Sequence, residues 1–265
     1  MIFFLHIPKT AGTTLSTVFK IQYREHEIYP WDNIKFHQKI EEFKNMAKDD
    51  PRKTGAKLLK GHFPFGLHEY VNGDSRYLTF VRDPQKRLVS HLIQFSRMPN
   101  SHIRKDYLSG LTTLEILKKY SFFKNGQVNW ISGLNKENGL SDKYKLDVAI
   151  KNIENHFAFV GITERFEESL LLMREVLNWK FPPFYSSFNV SKKHEKNQMH
   201  LDKATLSLIE EMNQYDHMLY NYCLDRFEDN LSKVSINLST YHRQLLIFQK
   251  AHKFYLSTKK LFLSK

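Results

Sequence analysis

A chain of 265 residues, 41% hydrophobic and 26% charged, has room for one substantial α/β domain and the composition of a soluble globular protein. Its single cysteine, Cys223, excludes an intrachain disulfide, and no apolar run approaches the length of a membrane span. The 40 Lys and Arg against 28 Asp and Glu leave a net charge of +12, which asks for an anionic partner without saying whether that is nucleic acid, glycan, nucleotide or lipid headgroup.

The first element is a short apolar run of strand formers, Ile2 to Leu5, followed at 6–15 by H-I-P-K-T-A-G-T-T-L. Leu15, Val18, Phe19 and Gln22 then fall at helical spacing, so the segment is predicted as strand, loop and helix. Gly12 with Thr13 or Thr14 is expected to supply the turn and the N-cap. The open N–H groups and positive end of such a helix attract an anion, most naturally a phosphate. Lys9 adds a full charge, and the Thr10, Thr13 and Thr14 hydroxyls add neutral donors. A nucleoside-triphosphate loop would read G-x-x-x-x-G-K-[ST], but here Lys9 precedes Gly12. The alternative is an ordinary strand–turn–helix corner with a solvated lysine.

Residues 31–53 are polar, with Phe36, Ile40 and Phe43 spaced as in a surface helix that ends near Asp50 and Pro51. Residues 56–60 read as a second strand, closed by G-H-F-P-F-G at 61–66. A helix between two strands favours parallel pairing, which places both strand ends, and so Lys9 and His62, on one edge. His62 there can serve as a general base or simply cap a turn; His68, beside Glu69, is a second candidate. The third strand spans 76–82 and is followed by Asp83 as N-cap and Pro84 as first helical residue, with Leu88, Val89, Leu92 and Ile93 on the core side. Arg82 again falls on the ligand edge, where its planar fork suits a phosphate.

Further on, T-T-L-E at 112–115 has the capping-box form, and Asn125-Gly126 turns into a short helix carrying Trp130. A helix through Leu146, Ile150 and Ile153 leads to a strand at 157–162 and then to a helix carrying Leu170, Met173 and Leu177. Residues 187–194 read as a basic loop, and two helices follow through Met212 and Phe227. After Asp229 no acidic residue appears, so the tail is expected either at an anionic membrane surface or polymer, or packed back on the domain. The histidines show no H-E-x-x-H or other metal-ligand spacing.

The P-K-T-A-G-T-T order resembles the 5′-phosphosulfate loop of sulfotransferases that use PAPS (3′-phosphoadenosine 5′-phosphosulfate), most closely the carbohydrate branch with the heparan sulfate 2-O- and 6-O-enzymes. R-D-P-Q-K-R-L-V-S at 82–90 is similar to that family's 3′-phosphate motif, and Gly61-His62 matches its placement of a catalytic His. The resemblance extends through about residue 227. It implies a three-layer α/β fold with a mostly parallel central sheet and a P-loop-like phosphate-binding loop. It also implies sulfuryl transfer from PAPS to a sugar or polysaccharide hydroxyl. Lys9, Thr10, Ala11, Gly12, Thr13, Thr14, Arg82 and Ser90 would hold the donor, with Lys192 or Lys193 reaching over it. His62 would act as base and Lys9 would neutralise the leaving oxygen, without a metal. A catalytic domain over 1–230 and a basic extension over 231–265 are expected. The lone cysteine, and a start that enters the loop directly, point to a cytoplasmic, bacterial-type member with no specific nucleic-acid partner. A small-metabolite kinase and a non-enzymatic binder of anionic polymers are the competing functions.

Overall fold

The computed structural model describes residues 1–31, 35–134, 139–185 and 201–263, with side chains up to residue 253. Four strands form one sheet: β1 (Ile2–Leu5), β2 (Leu58–Gly61), β3 (Arg76–Val81) and β4 (Phe157–Ile162). Their order is β2-β1-β3-β4 and every pair is parallel, as the alternation of strand and helix predicts. Leu5 pairs with Gly61 and Val81 with Ile162, so all four strands end on one edge. The residues that follow these ends are His6, His62, Arg82 and Thr163.

Helices cover both faces because successive strand residues point opposite ways. Phe4 packs on Phe19 of α1 (Gly12–Gln22), with ring centroids 4.9 Å apart, while its neighbour Phe3 meets Phe43 of α2 (Phe36–Asn45) at 6.5 Å. All four rings are essentially buried, each contributing roughly 1.5–3 kcal/mol. α2 ends earlier than its composition suggests, and Asp50 instead caps a short α3 (Pro51–Thr54) through the Arg52 amide. β3 passes into α4 (Pro84–Arg97) as expected: Asp83 accepts from the Lys86 amide at 2.8 Å with Pro84 in the first turn.

Leu88 and Leu92 of α4 join a second core with α5 (His102–Leu108), α6 (Thr113–Lys119) and α10 (Lys203–Met212). The capping box at Thr112 and Glu115 forms at the start of α6. Next come α7 (Gly126–Ser132) and α8 (Asp142–His156), the latter leading directly into β4. α9 (Phe166–Val176) and α11 (Gln214–Ser232) pack with α8 around β4. α12 (Leu238–Leu263) lies partly on the domain: Tyr241 and Leu245 bury against Leu171, and the Tyr241 hydroxyl donates to the Pro183 carbonyl at 2.8 Å. His242 pairs with Glu167. Among the described residues no helix is long and apolar enough to cross a membrane. The basic loop at 187–194, with Lys192 and Lys193, lies outside the described residues.

Candidate active site

Residues 6–11 link β1 to α1 at the shared strand edge. The link is fastened at both ends: the His6 amide continues the ladder to Gly61 O at 2.9 Å, and buried Thr79 donates its hydroxyl to Leu5 O at 2.8 Å. Within it Lys9 (φ 74°) and Ala11 (φ 64°) are left-handed, a costly conformation for residues with a Cβ. Backbone of this kind gathers N–H groups into an anion-binding hollow. Ala11 is the N-cap residue and offers no side-chain cap, and the first turn of α1 holds no acidic residue. The positive end of α1 is therefore uncovered by its own chain.

The expected turn chemistry needs two corrections. The cap position belongs to Ala11 and not to Thr13 or Thr14, and Gly12 does not adopt a positive φ. Glycine is required at 12 because a Cβ there would stand 1.8 Å from His6 Nε2. Thr10 likewise departs from expectation: it is fully buried, and its hydroxyl donates to Ile7 O at 2.8 Å, bracing the loop from inside. Thr13 is exposed and Thr14 half-buried at the open helix end, where their hydroxyls make no intramolecular hydrogen bond among the described residues.

Lys9 is half-buried, and burial lowers its pKa, with Arg82 and Arg97 pushing the same way. Among the described residues no carboxylate forms an ion pair with it. Arg82 reaches across from the end of β3 and donates Nη1 to Lys9 O at 3.0 Å, so the two motifs predicted to share an edge touch. Glu164 approaches Arg82 Nε at 3.8 Å, outside hydrogen-bond range, leaving that buried N–H without an acceptor among the described residues. Ser90 sits half-buried on α4, and its hydroxyl has no intramolecular partner among the described residues.

His62 follows β2 and stacks on His6, with centroids 4.3 Å apart and planes 22° from parallel. Its Nδ1 lies 2.8 Å from His6 O. A carbonyl oxygen only accepts, so Nδ1 carries the proton and Nε2 is the basic nitrogen of the neutral ring. Burial lowers the pKa of His62, opposed in part by this hydrogen bond. Phe36 and Trp130 flank the ring at 6.5 and 6.1 Å. His68 stands in a different cluster, with Nδ1 3.2 Å from the Tyr77 hydroxyl and its ring beside Phe65 and His156.

Several supporting residues were invisible in the sequence because their partners are distant along the chain. Gln127 of α7 clamps Arg82, accepting from its amide and donating to its carbonyl, both at 2.9 Å. Asp216 of α11 in turn accepts from the Gln127 and Val128 amides at 3.0 and 2.8 Å and lies 3.4 Å from the Arg87 guanidinium. His6 and His91 likewise carry no local signal of a role at the site. The His91 ring packs beside Phe95 and Phe123, and its pKa is pushed down to about 3, first by burial and then by Arg87, Lys9 and His62.

A half-buried lysine at an open helix N-terminus, an arginine bound to its carbonyl and a histidine of fixed tautomer together suit transfer of a charged group between an anionic donor and a protic acceptor. Comparison with known proteins agrees. The family model described as "Sulfotransferase family" matches residues 1–223. Mouse galactose-3-O-sulfotransferase 3 is 26% identical over 200 residues, covering 66% of this chain and 44% of the relative. Human heparan-sulfate 6-O-sulfotransferase 1 is 25% identical over 182 residues, covering 57% and 43%. The chain thus spans less than half the length of these curated relatives, but the family model takes in the whole sheet and every residue of the site just described, and the chain belongs to the sulfotransferase family.

Proposed function

We propose that this protein transfers a sulfuryl group from PAPS to a hydroxyl of a carbohydrate acceptor, with His62 as the general base. The observation that carries this reading is Lys9: a half-buried cation without a carboxylate partner among the described residues, on the loop that joins the open end of α1 to the His6–His62 stack. The residues fit the donor's two anionic ends. Lys9 and the first-turn amides of α1, with the Thr13 and Thr14 hydroxyls, take the 5′-phosphosulfate. The orphaned Arg82 Nε and the unengaged Ser90 hydroxyl take the 3′-phosphate.

In the reaction the acceptor oxygen forms a bond to sulfur as the bond from sulfur to the 5′-phosphate oxygen breaks. The acceptor proton passes to His62 Nε2, and the electron pair leaves with the phosphate oxygen. Positioning and charge stabilisation dominate such in-line transfers. Lys9 and the helix end meet the developing charge, which is why this reading assigns no metal.

The test runs separate samples with PAPS plus EDTA and with ATP plus Mg²⁺, each against a panel of sugar acceptors. Transfer is expected only in the first, and PAP, the desulfated product, is expected to bind about ten- to a hundredfold more tightly than its analogue lacking the 3′-phosphate. Transfer only from ATP, or equal affinity for the two nucleotides, overturns the assignment.

A further inference from the structure

Beside the candidate active site, on the outer side of β2, where Ile28 bridges to Leu58, lies a cleft of about 520 Å³ between the last turns of α1 and residues 25–31. Its volume is that of a small-ligand pocket. Tyr23, Tyr29 and Trp31 supply aromatic wall, and Lys20 and Lys60 supply cations; among the described residues Glu25 is the single carboxylate of the lining. The wall is held before any ligand arrives. Tyr29 and Trp31 pack on Phe43 with centroids 5.2 and 6.4 Å away, and the Tyr23 hydroxyl accepts from Trp179 Nε1 at 3.4 Å. Trp31 Nε1 is buried with no acceptor among the described residues.

The two lysines are unbalanced. Lys60 is half-buried and donates to the Ser16 hydroxyl at 2.7 Å, and no ion pair among the described residues joins it or Lys20 to a carboxylate. Both line the cleft, and the pKa of Lys60 is lowered first by burial and then by the like charge of Lys20. Glu27, between the lining residues Glu25 and Ile28 in the chain, is engaged with Lys57 at 2.6 Å. A pair of cations drawn together at an aromatic wall is relieved by an anionic occupant.

Position ties this cleft to the acceptor and not to the donor. Arg82 and Ser90 lie at the end of β3 and on α4, on one side of β1, whereas β2 and the cleft lie on the other. Lys60 lies on β2 two residues before His62, which follows the strand's end at Gly61. Trp31 packs against Phe63, the residue after His62, at 5.3 Å. A saccharide with one hydroxyl at His62 would thus lay its adjoining ring along Trp31 and Lys60.

We propose that this cleft is an acceptor subsite for an acidic saccharide unit, whose carboxylate or sulfate is held by Lys20 and Lys60 while its ring lies on Trp31 and Tyr23. The inference rests on the sulfuryl-transfer reading for what happens at His62, but the binding claim can be measured without turnover. Calorimetry on the PAP-saturated protein would compare a glucuronic acid–N-acetylglucosamine disaccharide with its counterpart carrying glucose in place of glucuronic acid. The acidic disaccharide should bind about tenfold more tightly, and the preference should shrink as salt rises. Lys20→Gln and Lys60→Met should each remove most of that preference, leaving affinity for the neutral disaccharide and for PAP unchanged. Lys20 is exposed, so its variant tests the cleft even if Lys60→Met fails to fold. Equal affinity for the two disaccharides overturns the subsite, as does a preference that survives both substitutions. Inorganic sulfate competing as strongly as the acidic disaccharide also overturns it, marking a simple anion site. Failure of PAP to bind the unaltered protein would instead count against the donor reading, and the disaccharide comparison would still stand, repeated without nucleotide.

Discussion

Gly12→Ala is the substitution on which local and tertiary reasoning part most clearly. Gly12 is the first residue of α1 and has no positive φ, so helix propensity alone makes alanine the better residue by up to about 1 kcal/mol. In the folded protein the added Cβ would lie 1.8 Å from His6 Nε2 and 2.2 Å from the adjoining ring carbons. The imidazole has little room to retreat, because Phe4 stacks beside it at 5.8 Å and His62 at 4.3 Å. Forcing a methyl into such a space costs about 1–3 kcal/mol, which outweighs the propensity gain. Whatever movement relieves the clash also displaces His62, whose Nδ1 is tied to His6 O.

Denaturant unfolding should therefore show a net loss of stability, and turnover should fall by at least about tenfold. PAP affinity should change less than turnover, since the added Cβ meets the His6 ring. A double-mutant cycle with His6→Ala checks the cause. Removing the ring should recover part of the stability lost in Gly12→Ala, giving a coupling of about 1 kcal/mol or more. A Gly12→Ala protein at least as stable and as active as the original, or strictly additive effects in the cycle, would refute the reasoning.

His62→Ala and His62→Asn should each lower turnover by about 10²–10⁴ with little change in PAP affinity, whereas His68→Ala should not. Because burial depresses the His62 pKa, the acid limb of the pH–rate profile should have its midpoint below 6.5; a midpoint above 6.5 would exclude His62 as the group reported. Asp216→Ala leaves Arg87 charged and buried and uncaps α7, so chemical denaturation should show a loss of about 3–5 kcal/mol; a loss under about 1 kcal/mol would mean the pair is dispensable. His91 stays neutral in the fold down to about pH 3 but takes up a proton near pH 6.5 when unfolded, so its contribution is full above pH 6.5 and is lost as pH falls towards 3. Folding stability measured against pH should fall by up to about 1.4 kcal/mol per unit across that window, and His91→Phe should flatten the slope. Truncation after Leu231 strips Tyr241 and Leu245 from Leu171 and should lower the melting temperature; binding of the intact and truncated chains to anionic vesicles would show separately whether the remaining basic face meets a membrane.

The parts of the site legible in the sequence are those whose signal is local. An apolar run that stops at a lysine-bearing loop, or at Arg82-Asp83-Pro84, marks a strand end and a helix start within a few residues, and parallel pairing then brings such ends together. The Asp83 cap and the Thr112 capping box follow from the same short-range chemistry. What stayed hidden depends on contacts between distant segments. Nothing near Gln127 reveals that its side chain will clamp the backbone of Arg82, 45 residues earlier. A glycine at 12 reads as a flexible turn, yet its reason lies in the ring of His6 across the loop. Residue preference puts a threonine at the cap, whereas the fold leaves that position to Ala11 and so keeps the helix end open. Asp216 shows no motif at all, only a carboxylate 88 residues from the amide of Val128 that it satisfies.

That last separation bears on how the protein is made. A growing chain emerges from its amino end, and Lys9, His62 and Arg82 are all outside the ribosome long before residue 216 is added. Until α11 appears, the first-turn amides of α7 lack the Asp216 carboxylate and Arg87 lacks its counter-charge, so the helix that clamps Arg82 has no anchor. The residues proposed to do the chemistry are thus synthesised first and fixed last, and a nascent chain halted short of α11 would carry the whole catalytic set without the architecture to use it.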